Sequence, residues 1–131
     1  MRLLLDTHVA LWAITADPRL PQAIQDLIAD PQNSVQVSAA SVWEISIKHA
    51  LARGRANDMP ISGAEALGYF RASGYGMLDI SVEHAAAVET LPTLHADPFD
   101  RLLIAQALTE PMRLITHDLK VAAYSKTVIS F

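Results

Sequence analysis

The residues best suited to chemistry in this chain are carboxylates in four short motifs: Leu3-Leu4-Leu5-Asp6, Trp43-Glu44, Asp97-Pro98-Phe99-Asp100 and Thr116-His117-Asp118. Each motif stands where an α/β chain should pass from strand to helix. In a parallel α/β unit, strand C-termini and the following helix N-termini share one edge of the sheet, so acids far apart in sequence can converge there. Carboxylates gathered in one cleft repel and raise each other's pKa, whereas Mg²⁺ or Mn²⁺ turns the same oxygens into an octahedral ligand set. The motifs therefore predict a shared divalent-metal site.

Each acid also has a plainer role open to it. Asp6 ends an apolar run and could cap a helix beginning near Thr7. Glu44 lies three residues after Ser41, the spacing of a capping box. Asp97 precedes a proline suited to the first helical position and fits a cap best, which leaves Asp100 inside the first turn and free to reach the sheet edge. Asp118 has the same ambiguity after its own strand. The coincidence of four motifs at one edge carries more weight than any acid alone.

Other polar residues say less. The five histidines lack the helical pair spacing of a zinc protease, and no cysteine could complete a zinc set. Packing or surface roles are expected for them, although His95 and His117 adjoin acidic motifs and could assist protons or position substrate. Trp12 and Trp43 are expected in the core or against a partner. Lys48, Arg53 and Arg55 form a loose basic patch, read as a solvated face or a phosphate-steering rim, and Arg101 has similar standing.

The elements that must position these residues follow from periodicity. Arg2 to Leu5 is too short for a helix and reads as a buried strand. A helical stripe of Val9, Leu11, Trp12 and Ile14 runs from Thr7 to near Asp17-Pro18, and Pro21 opens a second helix to Ala29. Val35 to Val37 alternates as a strand, and Ser38 to Leu51 follows as a helix with Gly54 as its stop. Further on, the pattern predicts a helix over Ala64 to Arg71, a strand over Met77 to Ile80 and a helix from Ser81 to Leu91. It closes with a helix over Phe99 to Leu108, a strand over Arg113 to Thr116, a short helix over Leu119 to Tyr124 and a strand over Thr127 to Ile129. Alternating strands and helices imply an α/β fold, a parallel sheet covered by helices on both faces.

At 131 residues with 51% apolar content, the chain suits a single domain over residues 1–131 with a real core. A net charge of −4 argues against a broad basic face gripping duplex nucleic acid, but a bound cation would still present local positive charge to phosphate. Without cysteine, disulfides and thiolate zinc sites are excluded, and cytoplasm is the expected compartment. The opening apolar run is too short for a signal-peptide core, and no stretch is long enough to span a bilayer.

Taken together, Leu4-Leu5-Asp6-Thr7-His8, Ser41-Val42-Trp43-Glu44-Ile45, Asp97-Pro98-Phe99-Asp100-Arg101-Leu102-Leu103-Ile104-Ala105 and Thr116-His117-Asp118 resemble the motifs of PIN-domain proteins. The closest resemblance is to VapC-like toxins of type II toxin-antitoxin systems, and it covers essentially the whole chain in the family's order. It implies a PIN fold and a Mg²⁺- or Mn²⁺-dependent ribonuclease whose acidic quartet is Asp6, Glu44, Asp100 and Asp118. Asp6 and Asp100 would be the most direct metal ligands, with Asp97 an additional acid. It further implies an RNA substrate, a homodimer and a cognate antitoxin protein lying across the active-site groove.

Two rivals make different demands. An aspartate-nucleophile phosphatase of the haloacid dehalogenase type wants a second aspartate two residues after the first, where this chain has His8. A catalytically inactive PIN-like module, acting through protein or RNA binding, would keep the acidic edge only as helix caps and would show no specific divalent-ion site.

Overall fold

The computed structural model describes residues 1–52 and 59–131. Strand β1, Arg2–Leu5, is the centre of a five-stranded sheet. Its neighbours are β2, Ser34–Ser38, and β4, Arg113–Thr116, while β3, Gly76–Leu78, and β5, Ile129–Ser130, form the edges. The order is β3-β2-β1-β4-β5 and every pairing is parallel.

Alternation along the strands decides which helices cover which face. Leu3 and Leu5 point to one side with Val37 and Ile115, and meet α1 (Thr7–Thr15), α2 (Gln22–Ala29), α3 (Ala39–Ala52) and α4 (Gly63–Ala72) through Val9, Trp12, Ile24, Ile45 and Phe70. Leu4 and Leu114 point to the other side. There they pack on α6 (Pro98–Thr109) and α7 (Leu119–Ala122) through Leu103, Ile104, Ala107 and Val121, with α5 (Val82–Ala87) beside α6. All three central leucines are fully buried, each worth about 1.5–3 kcal/mol of transfer free energy. The α/β sheet with helices on both faces is thus built as its sequence pattern predicts.

Several boundaries differ from expectation for local reasons. The first helix stops at Thr15 because Ala16 turns into the left-handed region with φ of 50°. Ser38 ends β2, and its hydroxyl accepts from the Ala40 amide, so α3 starts at Ala39. The strand predicted to run to Ile80 ends at Leu78, and the Asp79 carbonyl accepts instead from Gln106. The helix from Ser81 tightens into a 3₁₀ turn over Val88–Thr90, where the Thr90 hydroxyl donates to the Ala87 carbonyl three residues back. The helix expected to reach Tyr124 ends at Ala122. The last strand slips to Ile129–Ser130 because the Thr127 carbonyl accepts from the Arg113 side chain. Gly54, the expected stop of α3, lies outside the described residues.

The chain leaves β1 toward β2 on one side and returns to β4 on the other. A crevice therefore opens beyond the C-terminal ends of β1 and β4, where strand order reverses.

Candidate functional site

Asp6 stands at the tip of β1, its backbone amide donating to the Ile115 carbonyl at 3.0 Å. One carboxylate oxygen caps α1 by accepting from the His8 amide at 3.0 Å, and the other accepts from the Thr116 hydroxyl at 2.6 Å. Capping therefore does not keep this residue out of the cleft, which it also lines. The side chain is only 6% exposed, and this burial pushes its carboxyl above the usual range against the opposing bonds from Thr116 and His8.

Glu44 lies on α3 and is also buried. The capping box expected with Ser41 does not form, since α3 begins at Ala39 and places Glu44 in its second turn. Oε1 accepts instead from the Thr7 hydroxyl at 2.7 Å, and Oε2 pairs with Lys48 Nζ at 2.7 Å, one helical turn on. Thr7 Oγ1 also lies 2.9 Å from the Ser41 hydroxyl, so the two hydroxyls and Glu44 form one buried group. Lys48 lines the cleft beside its acid, while Arg53 and Arg55 of the expected basic patch lie outside the described residues.

Asp97 caps α6 as its place before Pro98 predicts, one oxygen accepting from the amides of Phe99 and Asp100. Asp100, in the first turn, projects into the crevice and meets His95 Nε2 at 2.8 Å. Its carboxyl is pushed up to about 7, first by burial and then by the charges of Asp97 and Asp6, with Glu44 adding and His95 opposing. Asp118 caps α7 with one oxygen on the Lys120 amide, and turns the other to His95 Nε2 at 3.1 Å.

All five sequence-predicted acids line one cleft of about 770 Å³, together with His95, Lys48 and Lys120. A second cleft of about 400 Å³, beside Trp12, Leu20 and Tyr75, holds none of them. The donor set suits a hard divalent cation, because several oxygens share a partly buried space and Asp100 already feels the excess negative charge. Atoms of His95, Asp100 and Asp118 lie within 4.8 Å of one another, close enough for one ion to reach all three.

Two polar residues at the site carried no separate signal. Thr7 and Thr116 sat inside the motifs as neighbours of acids, and only the parallel pairing of β1 with β4 shows that Thr116 faces Asp6. His95, for which packing or the surface was the first expectation and a role beside the acids the second, stands between Asp100 and Asp118. Arg101 is neither a solvated face nor a phosphate rim, since its guanidinium donates to the carbonyls of Val88, Pro92 and His95 and to the Tyr124 hydroxyl. Several carbonyls converge where the 3₁₀ turn ends, and a planar fork suits them. Trp12 is buried, whereas Trp43 is 56% exposed and meets Phe99 edge-on at 5.1 Å.

Comparison with known proteins agrees with this architecture. A family model described as the PIN domain matches residues 3–126. Among solved structures, the fold resembles the VapBC2 complex from Rickettsia felis bound to a promoter DNA fragment, with TM-score 0.71 and 19% identity over 100% of this chain and 98% of that one. It also resembles DNA-bound VapBC from Salmonella typhimurium, with TM-score 0.65 and 12% identity over 100% and 97%. A toxin-antitoxin complex from Klebsiella pneumoniae gives TM-score 0.62 and 22% identity over 97% and 95%. No curated protein matches the sequence.

Proposed function

The chain belongs to the PIN domain family, and on that premise we propose that it is a divalent-cation-dependent ribonuclease, the toxin of a type II toxin-antitoxin pair. The observation that carries this reading is the convergence of Asp6, Glu44, Asp97, Asp100 and Asp118 on one cleft at the point where strand order reverses.

Asp6, Glu44, Asp100 and Asp118 would hold the cation, Mg²⁺ or Mn²⁺, while Asp97 chiefly caps α6. When bound, such an ion supplies Lewis-acid polarisation of a phosphoryl oxygen and neutralises charge developing on it. The chain's own residues provide placement. Thr116 and the His8 amide fix the rotamer of Asp6, and Thr7 and Lys48 fix that of Glu44. Both threonine hydroxyls are committed as donors to carboxylates and the chain has no cysteine, so neither supplies a covalent nucleophile, and the attacking group in this reading is water. Lys48 and Lys120 on the cleft wall offset the negative field that a phosphodiester would meet on entry.

The complexes of similar fold support a cognate antitoxin as partner. A homodimer working in the cytoplasm completes the reading. Among the described residues, no helix is long and apolar enough to cross a membrane.

The test is cleavage of RNA with Mg²⁺ or Mn²⁺ and with chelator, comparing wild type with Asp6→Asn and Asp100→Asn. Cleavage should require the cation and fall by at least about 100-fold in each variant, comparable to the loss of a major transition-state contact. Full activity in both variants would defeat the site. Tight RNA or protein binding without any cleavage by wild type would instead favour the inactive module.

A further inference from the structure

We infer that His95 is a positioning residue: its imidazole, standing between Asp100 and Asp118 with its N–H given to Asp118, keeps the two acids together and leaves the cation an all-oxygen ligand set. This rests on the cation-dependent reading above. The two acids belong to different helices, Asp100 to the first turn of α6 and Asp118 to the cap of α7. Two like charges on separate elements drift apart unless a donor stands between them. His95 Nε2 fills that place, at 2.8 Å from Asp100 Oδ2 and 3.1 Å from Asp118 Oδ2.

The hydrogen bonds assign the proton. The Asp97 amide N–H points at Nδ1 from 3.5 Å, which marks Nδ1 as the lone-pair side and puts the hydrogen on Nε2, directed at Asp118 with Asp100 beside it. While Nε2 carries that hydrogen it has no lone pair to offer a metal.

The ring is also aimed from behind. The His95 backbone N–H donates to the Tyr124 hydroxyl at 2.9 Å, and its carbonyl accepts from Arg101 Nη1 at 3.3 Å. Arg101 Nη1 in turn donates to Tyr124 at 3.1 Å, closing a small clamp around the segment. His95 is 14% exposed, so a wandering water is a poor substitute for it. An outer group that orients metal-binding carboxylates typically contributes about 10–100-fold in metal affinity.

The experiment titrates Mn²⁺ alone into the full chain by calorimetry, for wild type, His95→Ala and His95→Gln, and records pulsed electron paramagnetic resonance of the bound ion. His95→Ala should weaken Mn²⁺ binding by about 10–100-fold, and His95→Gln, whose carboxamide N–H can reach the same acids, should recover most of it. Wild-type Mn²⁺ should show no directly coordinated nitrogen. Unchanged affinity in His95→Ala, or a nitrogen coupling in wild type, would overturn the inference while leaving the metal site standing. The spectrum decides the matter on wild type even if His95→Ala does not fold. Wild type that binds no Mn²⁺ would bring down both this inference and the function proposed above.

Discussion

Thr116 Oγ1 donates to Asp6 Oδ2 at 2.6 Å, across the pairing of β4 with β1, and the same oxygen accepts from the Asp118 amide at 3.0 Å. One buried hydroxyl thus sets the rotamer of one acid and the backbone of another.

Thr116→Val keeps the shape but removes both bonds. It should cost about 1–3 kcal/mol of stability and lower RNA cleavage by at least about tenfold, whereas Thr116→Ser should retain most of each. Chemical denaturation and initial cleavage rates measure the two effects. Wild-type activity in the valine variant would show that Asp6 needs no such support.

The ion-free protein should lose stability as pH rises from acid to neutral. The Asp100 carboxyl is raised from 3.8 to about 7, and that of Asp6 moves in the same direction. The unfolded chain releases the Asp100 proton near 3.8 while the folded chain keeps it to about 7, so its contribution is complete below 3.8 and is lost as pH climbs through about 7. Melting curves in chelator at pH 5 and pH 8 test the sign. Saturating Mg²⁺ should flatten the dependence by binding the ionised form.

Asp100→Asn should raise the melting temperature of the ion-free protein at pH 8 by a few degrees, roughly what about 1 kcal/mol gives in a domain of this size. The gain should shrink at pH 5, where wild-type Asp100 is already largely protonated. A variant less stable than wild type at pH 8 would mean that the carboxylates do not repel in the folded state.

Asp97 is separable from the other acids. Asp97→Ala should cost about 1 kcal/mol through loss of the α6 cap, while Asp97→Asn keeps the cap and most of the cleavage activity. Loss of activity in the asparagine variant at unchanged stability would move Asp97 into the ligand set.

Arg101→Lys should destabilise the fold by about 1–3 kcal/mol, because an ammonium cannot reach several carbonyls at once. Were Arg101 a phosphate contact, lysine would serve nearly as well and denaturation would not change.

Much of this arrangement was legible before any coordinates. The apolar run Leu3-Leu4-Leu5 forced a buried strand, and its alternation split the core between two faces. Asp97 followed from the proline after it. Glu44 misled, because Ser41 stood at capping distance in sequence, whereas the helix starts at Ala39 and the Ser38 hydroxyl accepts from its Ala40 amide. Thr116 was illegible for a different reason, since its partner Asp6 lies 110 positions away and only strand pairing brings the two to hydrogen-bond length. His95 stood visibly beside an acidic motif, but its bond to Asp118, 23 positions on, depends on helix packing.

The central place of β1 has a consequence for biosynthesis. It is made before the other four strands, yet one of its flanks stays bare until the segment from Arg113 to Asp118 has been made and docked. A nascent polypeptide carrying Asp6 and Glu44 therefore lacks the opposite wall of its own cleft. On the nuclease reading proposed above, the cleft stays inert until Asp118 is in place.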